Sequence, residues 1–218
     1  MSEPVKTRPY DSSSRAERTQ ASKRAVVAAA HELFLARGFA ETTVDAISAA
    51  SRIPVATVYR LFKTKTAILK QVIDTAVVGD DAPVALGDRS IVKDAQAADD
   101  PKTMTAAFAH VARRVFDNTA VLRLVLRVAA ALDTEAAALQ DSIEQQRQVG
   151  QARVARALAE KGFLASGLKE AEARDIVYTL MSIDTYRILR LEQRWSGARY
   201  EKWLANALYQ LLVMPMDA

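Results

Sequence analysis

The side chains best suited to chemistry are gathered between Thr43 and Lys65. Arg60 carries a planar fork of N–H donors that suits a guanine edge or a phosphate, and the Tyr59 hydroxyl suits a phosphate. Val55, Ala56 and Thr57 are small enough to let a helix seat deeply in a groove, and their apolar atoms can meet thymine methyls. Thr43 and Lys65 each stand at the start of an expected helix, where a side-chain donor and the free N–H groups can hold a phosphate together. Arg52 adds charge to the intervening turn. This is the chemistry of noncovalent nucleic-acid recognition. The same residues also suit an ordinary helix pair in a bundle, with Tyr59 packed and Arg60 solvated.

Two short helices must position these groups. Thr42 followed by Asp45 reads as a capping box opening the first, whose inner face is Val44 and Ile47. Ser51 to Pro54 ends it, and Pro54 fits the first turn of the second, which places Val55, Val58 and Phe62 on one face. A preceding helix is expected from near Arg15, capped by Ser14 with Glu17, carrying Val26, Val27, Ala30, Leu33 and Phe34 and stopped by Gly38. Thr64 caps a fourth helix with Ile68, Leu69, Val72 and Ile73 inward, ended by Gly79. Charge is placed to match: residues 19–75 hold eight basic and four acidic side chains, whereas residues 76–218 hold 18 basic and 19 acidic. A local positive excess favours phosphate contact.

Composition narrows the alternatives. Hydrophobic residues make up 50% of the 218, enough for a sizeable core. No proline lies between Lys102 and Met214, in a stretch rich in Ala, Leu, Arg and Glu, which predicts an all-helical body. The sequence has no cysteine and two histidines, His31 and His110, so thiolate chemistry is excluded and a His-based metal site or triad has almost no material. No cofactor, metal or catalytic group is expected, nor a membrane span, and the expected compartment is the cytoplasm.

Residues 1–14 read as a flexible tail and residues 15–75 as the helix-turn-helix domain with the start of a connecting helix. Residues 76–218 read as a second helical domain. Residues 79–101, with six aspartates, two glycines and two prolines, read as an acidic linker. Beyond it, Asp100 and Pro101 open a helix through Phe116, and Leu122 to Leu132 form another. Asp133 or Thr134 caps a long helix over 134–160. Helices over about 169–193 and from Ser196-Gly197 onward complete the chain. Arg123 and Arg127, four apart, suggest either a pocket for a carboxylate-bearing ligand or a solvated or interface pair. Asp184 and Arg187, with Tyr178 and Tyr186, line either a pocket or a dimer seam, and Met181 and Met104 suit the core better than ligand contact. Trp195 and Trp203 anchor the last two helices to each other.

Residues 20–73 resemble the N-terminal domain of TetR-family transcriptional regulators. The resemblance is carried by Ala29, Leu33, Phe34, Gly38, Phe39, Thr42-Thr43-Val44, Ile47, Ala50, Ile53, Thr57-Val58-Tyr59-Arg60-Leu61-Phe62, Lys65, Ala67 and Leu69. Weaker similarity to one branch of the family extends to Gly79–Val84 and Trp195–Leu204. The resemblance implies an all-α protein of about nine helices, with an N-terminal three-helix helix-turn-helix domain and a C-terminal ligand-binding and dimerisation domain. It implies a homodimer bound to a double-stranded DNA operator, most members being repressors released by a small-molecule effector. The residues expected to read DNA are Thr43, Arg52, Val55, Ala56, Thr57, Tyr59, Arg60 and Lys65. Those expected at an effector site are Arg123, Arg127, Tyr178 and Met181, and those at the dimer seam are Tyr186, Leu189, Leu204, Leu208 and Leu211. A helical small-molecule-binding protein, and a regulator that senses no ligand, are the alternatives. The sequence departs from the family pattern at Arg52, where glycine is usual, and at Pro54 and Val55, where polar residues are.

Overall fold

The computed structural model describes residues 12–79 and 84–214. Within them every regular element is helical. The chain divides into two compact units, Met1–Val72 and Ile73–Ala218. Residues 1–11 and Asp80-Asp81-Ala82-Pro83, and with them most of the expected tail and part of the acidic run, lie outside the described residues.

In the first unit, α1 spans Ser12–Arg37, α2 Val44–Ser51, α3 Val55–Phe62 and α4 Lys65–Val78, the division between units falling inside α4. Helix α1 is thus already formed at Ser12, ahead of the expected start at Arg15. Val26, Ala30 and Phe34 of α1, Val44 and Ile47 of α2, Val58 and Phe62 of α3 and Ile68, Leu69 and Val72 of α4 are all buried. Gly38 closes α1 at φ 74°, a conformation that costs an L side chain energy, and Phe39 then stacks on Phe34 with ring centroids 5.9 Å apart. The cap of α2 is Thr43, whose hydroxyl accepts from Ala46 N–H at 3.1 Å. Thr42, expected in that role, is fully buried and donates to the Gly38 carbonyl at 2.7 Å, tying the α1–α2 connection to the end of α1.

The second unit is built on α6, a continuous helix over Pro101–Ala130 capped by Asp100. Two separate helices were expected there. Nothing breaks it, because Thr119 returns its hydroxyl to the Val115 carbonyl at 2.7 Å and so leaves no buried polar group unpaired. Helix α5, Ser90–Ala97, occupies part of the presumed linker and buries Val92 and Ala95. Helix α7 spans Thr134–Glu160, capped by Asp133. Helix α8 runs in three pieces, Glu170–Leu180, Ile183–Tyr186 and a π-helical turn Arg187–Glu192. Helix α9, Gly197–Leu212, is capped by Ser196. Counting the pieces of α8 as one, the described residues form nine helices. No helix among them is long and apolar enough to cross a membrane.

Met104, Phe108, Ala112 and Phe116 of α6 share one core with Leu158 of α7, Val177 of α8 and Tyr200, Leu204, Leu208 and Leu212 of α9. Alanines at 109, 112, 120, 155 and 173, all buried, keep the helix axes close. Trp195 meets Trp203 edge-on at 6.2 Å, joining the end of α8 to α9 as expected. Truncating Leu204 to Ala removes fully buried atoms and is expected to destabilise this unit by about 2–5 kcal/mol. Leu132→Ala, at a position 83% exposed, is expected to stay within about 0.5 kcal/mol. Urea titration of the two variants compares them directly.

Candidate nucleic-acid interface and C-terminal polar cluster

The α2–α3 connection is held by serines. Ser48 donates to the Ile53 carbonyl at 2.6 Å, Ser51 donates to the Ser48 carbonyl at 3.2 Å, and Ser51 Oγ accepts from Ile53 N–H at 3.4 Å. Arg52 takes the left-handed conformation at φ 58° with its side chain exposed. The turn therefore keeps the geometry that glycine would favour and accepts strain of order 1 kcal/mol or more. Pro54 is the N-cap of α3 and lies just outside it. Its carbonyl accepts from Thr57 and Val58 at 2.8 and 3.0 Å.

Helix α3 presents two faces. Val58 and Phe62 are buried, whereas Ala56, Tyr59 and Arg60 are exposed, with Tyr59 at 48%. Val55 and Thr57 are half-buried at the margin, and Thr43 is exposed at the start of α2. The end of α3 is tight. Lys63 sits at φ 68° and ψ −53°, and Thr64 N–H reaches the Phe62 carbonyl at 2.8 Å, which is a γ-turn, a strained conformation. Its exposed side chain brings a cation beside Arg60 that was not among the expected readers. Thr64 caps α4, accepting from Ala67 N–H at 3.0 Å.

Lys65 is placed differently from its expectation as a phosphate ligand. Its ammonium donates to the Phe39 carbonyl at 2.7 Å and lies 4.1 Å from the centre of the Phe39 ring. It clips the start of α4 to the chain leaving α1.

In the second unit the expected arginine pair is split. Arg127 makes a two-pronged contact with Asp184 at 2.8 and 3.1 Å, at the surface. Arg123 turns inward, and its side chain is 13% exposed and 3.5 Å from Glu144. Arg147 occupies the other side of Glu144, bonding its carboxylate through Nε at 2.9 and 3.0 Å. The Tyr178 hydroxyl also donates to Glu144, and the Arg147 guanidinium stacks 3.7 Å from the Tyr178 ring centre. Arg147 further donates to Gln151 at 2.8 Å and to the Tyr178 and Met181 carbonyls at 3.0 and 3.3 Å. Met181 itself is buried in the core.

These bonds explain the interruption in α8. Its carbonyls lose their intrahelical partners where the helix stops, and buried carbonyls need others. Arg147 and Gln151 supply them to Tyr178 and Met181, and Thr185 Oγ1 donates to Thr179 at 3.0 Å. Ser182 restarts the helix by capping Thr185 N–H at 3.1 Å. Glu144, Arg147 and Gln151 were missed in the sequence, although their spacing of three and four along α7 was a signal that they share a face.

Tyr186, Leu204 and Leu208, expected at the dimer seam, are instead buried inside the protomer. The stripe Tyr200, Leu204, Leu208, Leu212 that marks α9 as amphipathic faces the core shared with α6. Leu189 is partly buried against that core, and Leu211 is exposed. The large exposed apolar side chains of α8 and α9 are Ile188, Leu191 and Leu211.

Residues 26–72 match the model of a family described as bacterial regulatory proteins, tetR family. Three solved structures share the fold. A protein from Syntrophomonas wolfei str. Goettingen, assigned to the TetR-family transcriptional regulators, is 14% identical over 88% of this chain and 94% of its own, with a TM-score of 0.67. NalD of Pseudomonas aeruginosa, the secondary repressor of the MexAB-OprM multidrug efflux pump, is 16% identical over 91% of this chain and 100% of its own, TM-score 0.66. The fatty acid degradation regulator FadR of Bacillus halodurans is 15% identical over 86% of this chain and 94% of its own, TM-score 0.61. No curated protein matches the sequence. Residues 26–72 thus match the TetR-family model, and the all-helical fold of the chain is that of these solved structures.

Several carboxylates of the second unit have acidities set by their partners. Burial raises the pKa of Asp117, but hydrogen bonds from Tyr186 and Arg113 and the charges of Arg113 and Arg190 bring it below the ordinary value. Burial opposes ionisation of Glu144 too, and is outweighed by bonds from Arg147 and Tyr178 and by the charges of Arg147 and Arg123. Tyr186 is pushed up to about 12, first by burial and then by its bond to Asp117. Carboxylates with lowered folded pKa stabilise fully above their unfolded values, about 4, and lose that contribution as pH falls further. The denaturant midpoint is therefore expected to drop between about pH 5 and pH 3. In Asp117→Asn or Glu144→Gln the wild-type midpoint at neutral pH is expected to be reduced and its slope on pH in this window to flatten.

Proposed function

We propose that this protein is a sequence-specific DNA-binding transcriptional regulator that acts as a homodimer, a repressor released by a small-molecule effector. The observation that carries the reading is the outward face of α3. Ala56, Tyr59 and Arg60 are exposed on a short helix whose opposite side is locked into a TetR-type core. Exposed Arg52 and Lys63 at its two ends add cations. A small residue flanked by donors suits a helix seated in the major groove. Arg60 meets a base edge or phosphate, while Tyr59, Thr43 and Arg52 meet the backbone on either side.

One eight-residue helix makes few base contacts. Two copies related by a two-fold axis double them and require a two-fold-related operator. Ile188, Leu191 and Leu211, exposed on α8 and α9, are the residues proposed to pair the copies. The neighbouring fold of NalD, a repressor, accords with repression. An effector releases DNA only if it binds the two states of the dimer with different affinity, and about 1.4 kcal/mol of such coupling gives a tenfold change.

Fluorescence anisotropy with labelled duplex DNA from the region upstream of the protein's own coding sequence tests this reading. Sequence-specific binding that weakens with salt is expected. Arg60→Ala is expected to weaken it and, if Arg60 meets a phosphate, to reduce the slope of log K against log salt by about 1. Binding to the duplex no tighter than to scrambled DNA, or indifferent to both Tyr59→Ala and Arg60→Ala, rules out α3 as the reader. Lys65→Met separates scaffold from contact: it is expected to lower the stability of the first unit by about 1 kcal/mol while leaving the salt slope unchanged.

A further inference from the structure

The second unit contains a cationic cluster in which Arg147 serves the break in α8, whereas Arg123 serves neither that break nor the DNA-reading helix. Arg123 on α6 and Arg147 on α7 have side chains only 13% and 11% exposed, and the carboxylate between them, Glu144, is 35% exposed. Two buried guanidiniums share one carboxylate, which leaves the cluster one positive charge in excess. The neighbouring Arg127 is paired with Asp184, and its positive charge still bears on Arg123. The two arginines are not alike. Arg147 is fully engaged by Glu144, Gln151 and two carbonyls. Arg123 holds only an ion pair at 3.5 Å, a length beyond a good hydrogen bond, although a guanidinium has five N–H donors. Burial first, and then the charges of Arg147 and Arg127, push the Arg123 pKa down.

We propose that this cluster is a binding site for a carboxylate-bearing small molecule, in which Glu144 stands in for the ligand until it is displaced. The proposal rests on the effector-controlled reading above and names the chemical class of the effector. Three features carry it. The structure already seats a carboxylate between the two guanidiniums, so their spacing accepts that group. The most exposed member of the cluster is the stand-in, so a ligand can reach the site by exchanging with Glu144, without crossing the core. Arg123 is short of acceptors, so a ligand carboxylate that takes the place of Glu144 and approaches Arg123 more closely makes bonds that the ligand-free cluster lacks.

The site is also connected to the interruption in α8. Arg147 grips Glu144 with one edge and the Tyr178 and Met181 carbonyls with the other. Tyr178 contributes both its hydroxyl to Glu144 and its ring to Arg147. Exchange of Glu144 for a ligand therefore changes the contacts that hold the first piece of α8 at its end. This gives the ligand a differential interaction with two arrangements of that helix, as release of DNA requires.

The test is isothermal titration calorimetry of the full chain with hexanoate, with hexanamide as the neutral isostere and inorganic phosphate as the alternative anion. Hexanoate is expected to bind and hexanamide not. Glu144→Gln removes the charged competitor and is expected to tighten hexanoate at least tenfold. Arg123→Met is expected to weaken it at least tenfold, and Arg123→Lys to recover part of the loss; circular dichroism establishes that each variant is folded. Equal binding of hexanoate and hexanamide, phosphate binding tighter than hexanoate, or no tightening in Glu144→Gln overturns the proposal. The same titrations repeated on the DNA complex separate the two readings. Hexanoate that binds as described but leaves DNA affinity unchanged overturns effector release and leaves the carboxylate site standing. Intact DNA binding with no hexanoate binding in any variant overturns the site and leaves the DNA reader standing.

Discussion

An eight-residue helix has almost no stability of its own, because nucleating a helical turn costs more than so few hydrogen bonds return. Helix α3 exists because Val58 and Phe62 are buried in the core formed with α1, α2 and α4. Everything that the N-terminal unit can do to another molecule depends on that burial. It fixes which side of α3 is turned outward, and so decides that Ala56, Tyr59 and Arg60 form one surface. The two turns at its ends complete the constraint. Arg52 and Lys63 both hold positive φ without being glycine, so basic side chains sit where the backbone is strained. Such positions persist when the surrounding structure over-determines them. The serine bonds of the first turn and the Thr64 cap beyond the second are what does so here.

The second unit solves a different problem. Its helices are long, and α6 supplies a continuous wall against which α5, α7 and α9 pack, while the first piece of α8 lies on α7 and α9. The difficulty arises at α8, where the helix stops and restarts beneath its own neighbours. Backbone carbonyls freed inside a protein must be paired, and Arg147 and Gln151 reach across from α7 to do it. A buried arginine used as a helix terminator brings its charge with it, and that charge in turn calls for Glu144. The polar cluster is thus a consequence of breaking a helix in the core, and Arg123 is the part of it that helix termination does not account for.

Much of the fold was legible because helix ends carry local chemistry. Gly38, Thr64, the Asp100-Pro101 pair and Asp133 each mark a boundary through bonds made within a few residues. What was not legible depended on distant partners. The interruption at Met181 has no proline or glycine, and its causes lie about thirty residues away on α7. Helix α5 was hidden by the aspartates around it and declares itself only through Val92 and Ala95. The unbroken run of α6 was obscured by Asn118 and Thr119, polar residues that the helix accommodates. For the candidate sites, the outward face of α3 followed from its periodicity, but the inward turn of Lys65 did not, since Phe39 lies 26 residues earlier. Periodicity likewise marked the stripe on α9 without saying whether α6 or another protomer covers it.

The aromatic contact between Trp195 and Trp203 has a spectroscopic consequence. The chain has two tryptophans, and both lie where α8 meets α9. Intrinsic tryptophan emission therefore comes entirely from one joint in the second unit, quenched or shifted by whatever happens at that joint. This signal reports directly on the second unit, whereas far-ultraviolet dichroism sums over every helix. A difference between the two transitions measures how independently the first and second units unfold, with no label added to the protein.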